Sequence, residues 1–288
     1  MMGSDAEVSV VGGPERLAND CLQLAAHLET LWSRFRPDSE LSRLSAGETV
    51  EIDDSTRALI ARMQRAAALT DGAFDPTLLR EVIDLGYARS LTSEALSVAP
   101  APAVNAVSIS AVNLSQQSVT LPRGLAIDAG GIGKGFAADL VVDFARQRGA
   151  RGVMASFGGD LVVWGTPPDG DEWRIDVENI ASPSSPLRRI RLTSGAVATS
   201  SQVKRRFTSL HGERSHLINP ATRGAVSDDV VAVTVIAGEG WFAEACTKPG
   251  FVWSLPEYLR WTATVNAAAL VVTADGAVHT SANWGSYA

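Results

Sequence analysis

The run Ile127-Asp128-Ala129-Gly130-Gly131-Ile132-Gly133-Lys134-Gly135-Phe136-Ala137-Ala138-Asp139 gathers the residue types that handle phosphates. A strand-like Leu125-Ala126-Ile127 delivers Asp128, four glycines surround Lys134, and a helix begins at once. Glycine lets the backbone approach a phosphate closely, a helix N-terminus offers unpaired N–H groups, and lysine adds a cation suited to a pyrophosphate. The spacing fits neither a P-loop, which needs Gly-Lys-Ser/Thr after four intervening residues, nor the dinucleotide fingerprint with its later acidic residue. On residue types alone, nucleotide binding and tight packing both remain open.

Other segments bring polar groups to loop positions. Asp75 precedes Pro76, Asp160 follows Gly158-Gly159, and His216 lies before Leu217-Ile218-Asn219-Pro220. Each has a plain structural reading beside a chemical one. Asp75 and Asp160 suit turns, His216 suits a structural hydrogen bond, and Phe35 and Phe74 suit a core. Alternatively, Phe35 can stack on a ring system, and Asp75 and Asp128 can accept from ring N–H or ribose hydroxyl groups.

The elements that must position these groups follow from hydrophobic periodicity. Residues 6–12 alternate and predict a strand. A helix follows, with Pro14 in its first turn and Leu17, Cys21, Leu24, Leu28 and Leu31 at helical spacing. Residues 36–50 read as polar and turn-forming. Thr56 to Leu69 reads as an amphipathic helix, ended at Thr70-Asp71-Gly72 by a left-handed glycine. Residues 97–105 form a Pro/Ala-rich connector between possible subdomains, followed by strand-like segments at 106–112 and 117–121. A helix from about 134 to 148 precedes strands at 152–164 and 172–180, joined by the turn at 165–170. Further strands are expected at 188–193, 196–199, 230–237 and 267–273, with helices near 241–248 and 258–261. Strands in runs, rather than strict alternation with helices, predict an α+β fold. We expect a largely antiparallel sheet with packed helices, in a single domain over 1–288.

Composition narrows the function classes. With 45% hydrophobic and 20% charged residues over 288 positions, the chain can bury a substantial core. A net charge of −7 argues against a nucleic-acid partner, since Arg188-Arg189-Ile190-Arg191 and Lys204-Arg205-Arg206 are the densest basic runs. Cys21 and Cys246 do not make a disulfide scaffold. No run of about 18 apolar residues is present, so no membrane span is expected. The N-terminus has no basic region followed by an apolar core, so neither signal peptide nor lipobox is read, and the expected location is cytoplasmic.

The glycine segment resembles the Asp-x-Gly-Gly-Ile-x-Lys-Gly-x-x-x-Asp signature of the FAD:protein FMN transferase (ApbE) family. Further blocks resemble that family in its own order. They are Ser33-Arg34-Phe35-Arg36-Pro37-Asp38-Ser39-Glu40-Leu41-Ser42-Arg43, Gly72-Ala73-Phe74-Asp75-Pro76-Thr77, Gly158-Gly159-Asp160 with Trp164 to Trp173, Ala198-Thr199-Ser200, His216-Leu217-Ile218-Asn219-Pro220 and Ala243-Glu244-Ala245-Cys246-Thr247-Lys248. The resemblance implies a T-fold-like ApbE architecture. It also implies an enzyme that cleaves FAD with magnesium, attaches FMN by a phosphoester to a Ser or Thr of an acceptor protein, and releases AMP. Carried across residue by residue, Met2, Phe35, Ala73, Phe74, Asp75, Asp128, Lys134 and Ile218 would contact the flavin nucleotide. Asp128, Lys134 and His216 would serve catalysis. Gly131, through its carbonyl, with Glu244 and Lys248 would occupy the metal-ligand positions.

Four residues depart from the family pattern: Glu244 stands for aspartate, Lys248 for threonine, Asn219 for aspartate and Ser201 for glycine. An ammonium cannot ligate a cation, and magnesium demands near-octahedral oxygen geometry. Lys248 follows Glu244 by four residues, a spacing at which helical side chains pair, and Pro249 ends that helix early. Two expectations follow. Either Lys248 replaces the metal electrostatically, or the chain is an FAD-binding paralogue without transfer activity, a carrier, a sensor or a hydrolase releasing FMN and AMP.

Overall fold

Along the central strands, successive side chains enter two different apolar clusters, which is why these strands read as continuous hydrophobic runs. Val233, Val235 and Ala237 join one cluster with Ala196, Ala198, Ala269 and Val271, while Ile236, Val197, Ala268 and Leu270 join the other. The computed structural model describes residues 4–88, 90, 96, 97, 107–180, 182, 184–203, 206–209, 212–215 and 217–287. Met2, Lys204, Arg205, His216 and most of the 97–105 connector lie outside the described residues.

The strands form a seven-stranded sheet in the spatial order Ala6–Gly12, Ala150–Phe157, Asp160–Gly165, Ser194–Ser201, Val230–Ala237, Ala268–Thr273 and Val278–Thr280. All of its pairings are antiparallel. Helices α1 (Leu17–Trp32), α2 (Glu40–Ser45), α3 (Asp54–Leu69), α4 (Leu79–Asp84), α5 (Gly133–Gln147), α6 (Gly240–Cys246) and α7 (Leu255–Thr264) complete the fold. The larger cluster packs α1, α3, α5 and α6 against one sheet face. The hairpin Trp173–Val177/Arg188–Leu192 covers the other with Trp284. The expected α+β class and largely antiparallel sheet are therefore present. Among the described residues no helix is long and apolar enough to cross a membrane.

Several local expectations shift. Pro14 sits ahead of α1 and accepts from Leu17 N at 3.0 Å, so the helix starts three residues later. Residues 36–50 contain α2, capped by Ser39, whose Oγ accepts from Ser42 N at 3.1 Å while Leu41 and Leu44 are buried. Of the strand expected at 106–112, the described residues 107–112 form none and hold a short 3-10 turn, Ile109–Ala111. Leu125 to Asp128 is not a strand either, because its backbone bonds to distant loops instead of a strand ladder: Ile127 N donates to Ser45 Oγ at 3.1 Å and Asp128 N to Pro76 O at 2.8 Å. The expected strand at 152–164 is two, turned at Gly158 and Gly159, whose φ values of 64° and 90° favour glycine. Helix α7 is longer than the four residues expected, with Pro256 in its first turn. Residues 79–84, for which nothing was expected, are helical.

Candidate active site

A cavity of about 620 Å³ opens where the start of α5 meets the loops after α1 and α3 and the end of strand Ser194–Ser201. Phe35, Ala73, Phe74, Asp75, Asp128, Gly131, Lys134, Ile218, Glu244 and Lys248 all line it. Ten residues selected from segments up to more than two hundred positions apart thus line one cavity.

The deep end is a cluster of charges. Lys134, in the first turn of α5, pairs with both Asp160 and Glu244. Those carboxylates are buried, and each is further engaged: Glu244 Oε2 accepts from Gly135 N at 2.8 Å, and Asp160 Oδ1 from Thr199 N at 3.0 Å. The α5 N-terminus is therefore already satisfied in part by a side-chain carboxylate, rather than offered wholly to a ligand. Asp160 is more than a turn residue, since it ties α5 to strand Ser194–Ser201. Glu244, on α6, is held against α5 by its own contacts with Lys134 and Gly135 N, and the helices approach so closely that a Cβ on Gly135 would overlap the Gly240 carbonyl. Close packing and a charged site thus coexist in the glycine segment.

Lys248 follows α6 and precedes a 3-10 turn at Pro249–Phe251. It does not pair with the Glu244 carboxylate as helical spacing suggested, because the Glu244 side chain turns toward Lys134 and α5. Its Nζ donates instead to Glu244 O at 2.9 Å, Thr247 Oγ1 at 3.0 Å and Ser200 Oγ at 3.2 Å. The stem lies against the glycine loop: a Cβ on Gly131 would come within 3.1 Å of Phe74 Cε2 and 3.2 Å of Lys248 Cε.

The other end is aromatic. Arg34 is buried, donates from Nη1 to Asp128 Oδ2 at 3.5 Å and from Nη2 to Tyr87 O at 3.0 Å, and lies over the rings of Phe35 and Tyr87 at 4.8 and 4.4 Å. Asp128 also accepts from Gly130 N at 3.1 Å, which fixes the start of the glycine loop. Asp75 Oδ1 accepts from Thr77 N at 2.9 Å and Thr77 Oγ1 at 2.7 Å, so the turn reading holds while the residue still lines the cavity. Phe74 is buried, as its core reading required, with its ring beside Gly131.

The profile of the ApbE family matches residues 2–283. The chain belongs to the ApbE family. The FAD:protein FMN transferase of Vibrio cholerae is 27% identical over 251 residues, covering 82% of this chain and 74% of that protein. The protein of the same name in Salmonella typhimurium is 27% identical over 263 residues, covering 83% and 74%. The crystal structure of the ApbE protein of Thermotoga maritima superposes with a TM-score of 0.86 at 27% identity, over 99% of this chain and 96% of that one. The flavin transferase ApbE of Vibrio cholerae shares the fold, with a TM-score of 0.81 at 22% identity over 100% and 97%. The ApbE architecture is thus the fold of this chain.

Sequence reasoning left Arg34, Thr199 and Ser200 without roles, although all three lie inside the quoted ApbE blocks. Their contacts are long-range in sequence, and nothing local signals them. Asn219 pairs through its strand with Gly224, and its Oδ1 accepts from Ala221 N at 3.0 Å, a turn function. Ser201 is buried, and its Oγ accepts from Val203 N at 3.0 Å.

Magnesium, implied by the ApbE resemblance, can be tested against this donor set. Both Glu244 oxygens are taken, one by the Lys134 ammonium and one by a backbone N–H. A second ammonium, that of Lys248, stands beside Gly131. Asp160 likewise meets the Lys134 ammonium and a backbone N–H, whereas a divalent ion needs oxygen donors free to ligate it. The residues as arranged do not fit a magnesium ion.

Proposed function

We propose that this protein is a flavin transferase: it splits the pyrophosphate of FAD, passes FMN to a Ser or Thr hydroxyl of an acceptor protein and releases AMP. The observation that carries the reading is the convergence of every described flavin-contact position of the ApbE pattern on one cavity, within a chain matching the family from residue 2 to 283. Curated relatives bearing that activity in their names support it.

In this reading Phe35 offers a ring face to the nucleotide. Asp128, its rotamer set by Arg34 and Gly130 N, faces the cavity as an acceptor for ring N–H or ribose hydroxyl groups. Ala73, Phe74, Asp75 and Ile218 shape the nucleotide wall, with Met2 assigned there by the ApbE pattern alone. The acceptor hydroxyl attacks the FMN phosphorus, the bond from that phosphorus to the bridging oxygen breaks, and the bridging oxygen leaves on AMP. Asp128, Lys134 and, from the sequence pattern, His216 carry the catalytic assignment. Lys134 is held between two carboxylates, which fixes the α5 start under the phosphates and restrains its charge. Gly131 and Glu244 line the same cavity.

The test incubates the protein with FAD and a library of Ser- and Thr-containing peptides, in magnesium and in EDTA, then weighs the peptides and quantifies AMP. FMN on a peptide with matching AMP is expected. AMP with free FMN and unmodified peptides would make the protein a hydrolase, and intact FAD would make it a binding protein. Either outcome overturns transfer.

A further inference from the structure

We infer that the free edge of strand Ala6–Gly12 is the docking site of the acceptor protein, whose hydroxyl-bearing segment adds to the sheet as an antiparallel strand and carries its Ser or Thr to the phosphate end of the cavity. The inference rests on the transferase reading of the cavity and assigns the surface that holds the second substrate.

Pairing leaves this edge with unspent hydrogen-bonding groups. The strand is outermost in the seven-stranded sheet and pairs antiparallel with Ala150–Phe157, from Ala6 opposite Phe157 to Val11 opposite Gly152. Asp5 O accepts from Gly158 N at 2.9 Å, which sets the phase of the ladder. In an antiparallel pair, alternate residues turn both backbone groups to the partner. Asp5, Glu7, Ser9 and Val11 therefore face the neighbouring strand, while Ala6, Val8 and Val10 turn N–H and C=O outward. No described residue bonds to those outward groups. Their side chains pack toward the larger apolar cluster yet stay half-buried, as befits an open flank.

Sheets blunt such edges with proline, charge, brevity or bulges. The opposite edge, Val278–Thr280, is three residues long. Ala6–Gly12 has seven residues, no proline and a single charged one, Glu7, and its register shift lies at Val11/Gly12, the end away from the cavity. An extended, valine-rich edge of this kind is a template for another chain, with main-chain bonds supplying the affinity.

The position of the edge selects the partner. Its regular end runs into the cavity wall: a Cβ on Gly158, a cavity residue, would come within 2.7 Å of Ser4 Oγ and 3.6 Å of Lys134 Cδ. A Cβ on Gly159 would meet nothing within 4 Å, so a chain can pass this turn unhindered. A cavity of about 620 Å³ is of the size that one small ligand fills, so the acceptor backbone has to be held outside it. Antiparallel addition continues the pairing found throughout this sheet and points the C-terminal end of the added segment at the cavity. The reactive hydroxyl thus follows the strand-forming stretch in the acceptor sequence.

The experiment follows backbone amide exchange by NMR in the wild-type protein. The probes are a Thr-Val repeat followed by Gly-Ser, and the same peptide with every amide of the repeat N-methylated. In the free protein, the amides of Ala6, Val8 and Val10 should exchange at least about tenfold faster than those of Glu7, Ser9 and Val11. The first peptide, raised to about ten times its Kd, should slow those three about tenfold, and the methylated peptide should not. Val8→Pro removes an outward donor and no bond to the neighbouring strand. With thermal melts showing it folded, it should raise the KM of any peptide that accepts FMN about five- to tenfold, leaving kcat and FAD affinity within about twofold. Edge amides that do not respond to the peptide at about 1 mM would overturn the inference, as would an unchanged KM in Val8→Pro. So would outward amides already protected in the free protein: a doubled mass would then place a second copy on the edge, and a single mass a segment of the chain itself. The two readings fail separately. Protected edge amides with no FMN on any peptide sink transfer and leave the docking edge standing, whereas FMN transfer with unresponsive edge amides does the reverse.

Discussion

Replacing Glu244 by glutamine removes one charge from the centre of the site without changing its shape. Glu244 is 1% exposed, pairs with Lys134 and accepts from Gly135 N at 2.8 Å. Breaking a buried ion pair by neutralising one partner costs about 3–5 kcal/mol. Two features reduce that cost here: the glutamine carbonyl still accepts from Gly135 N, and Asp160 still faces Lys134. The expected loss is about 2–3 kcal/mol, which for a chain of this size lowers Tm by about 3–5 °C. Affinity for FAD should move the other way. A cluster of two carboxylates and two ammoniums gains one net positive charge, worth about 3 kcal/mol gross at about 5 Å and an effective dielectric near 20. After solvent and rearrangement this leaves about 1 kcal/mol, a gain of about fivefold. Differential scanning calorimetry and FAD titration in EDTA read the two quantities on the same sample. An unchanged Tm would refute the Lys134 bridge. A loss of FAD affinity beyond about tenfold would refute the charge count, since neutralising Glu244 would then weaken rather than strengthen the attraction for the pyrophosphate.

Further outcomes follow from the same geometry. Gly135→Ala drives a methyl into the Gly240 carbonyl and within 2.9 Å of Trp241 N, both backbone, so urea denaturation should show a loss of about 2–3 kcal/mol, and a change under about 0.5 would contradict the helix contact. Asp139 accepts from Gly240 N at 2.6 Å and Trp241 N at 2.9 Å, and burial pushes its carboxyl from 3.8 up to about 7. The folded state then holds a proton that the unfolded chain releases, so this group's contribution to stability is full below pH about 4, falls as pH rises and is gone above about 7, by up to about 4 kcal/mol. Asp139→Asn should flatten that slope in denaturation curves taken across the window, and identical slopes would exclude the assignment. Arg34→Gln takes the guanidinium from Asp128 and Tyr87 O, and FAD affinity followed by flavin fluorescence should drop about tenfold, with an unchanged value telling against a positioned Asp128.

What could be read before the structure was whatever is carried by local pattern. The amphipathic helix ending at Leu69 and the helix opening at Gly133 were legible because apolar spacing is a short-range signal, although the left-handed stop begins at Asp71, with φ of 48°, and continues at Gly72, with φ of 77°. Helix α2 was hidden because Ser39, Glu40, Ser42 and Arg43 outnumber Leu41 and Leu44, and the capping serine looked like part of a turn. The hairpin at Gly158-Gly159 was read as one strand because Phe157 and Leu161 continue the apolar run across it. In the site, the resemblance named residues that line one cavity, yet it did not give their wiring. Spacing on a helix pointed Glu244 at Lys248, whereas a contact across 110 positions draws it to Lys134. Which carboxylate meets which ammonium is decided by how α5 packs on α6 and on the end of the sheet, and a linear pattern holds no record of that.

The central claim is that this cavity moves FMN from FAD to a hydroxyl other than that of water. FAD turnover in water carrying heavy oxygen, with the Ser/Thr peptide library as acceptor and all products weighed, tests it directly. The account requires FMN on a peptide and an equal amount of AMP, with no heavy oxygen in either product. Heavy oxygen in free FMN or in AMP, beside unmodified peptides, would contradict it.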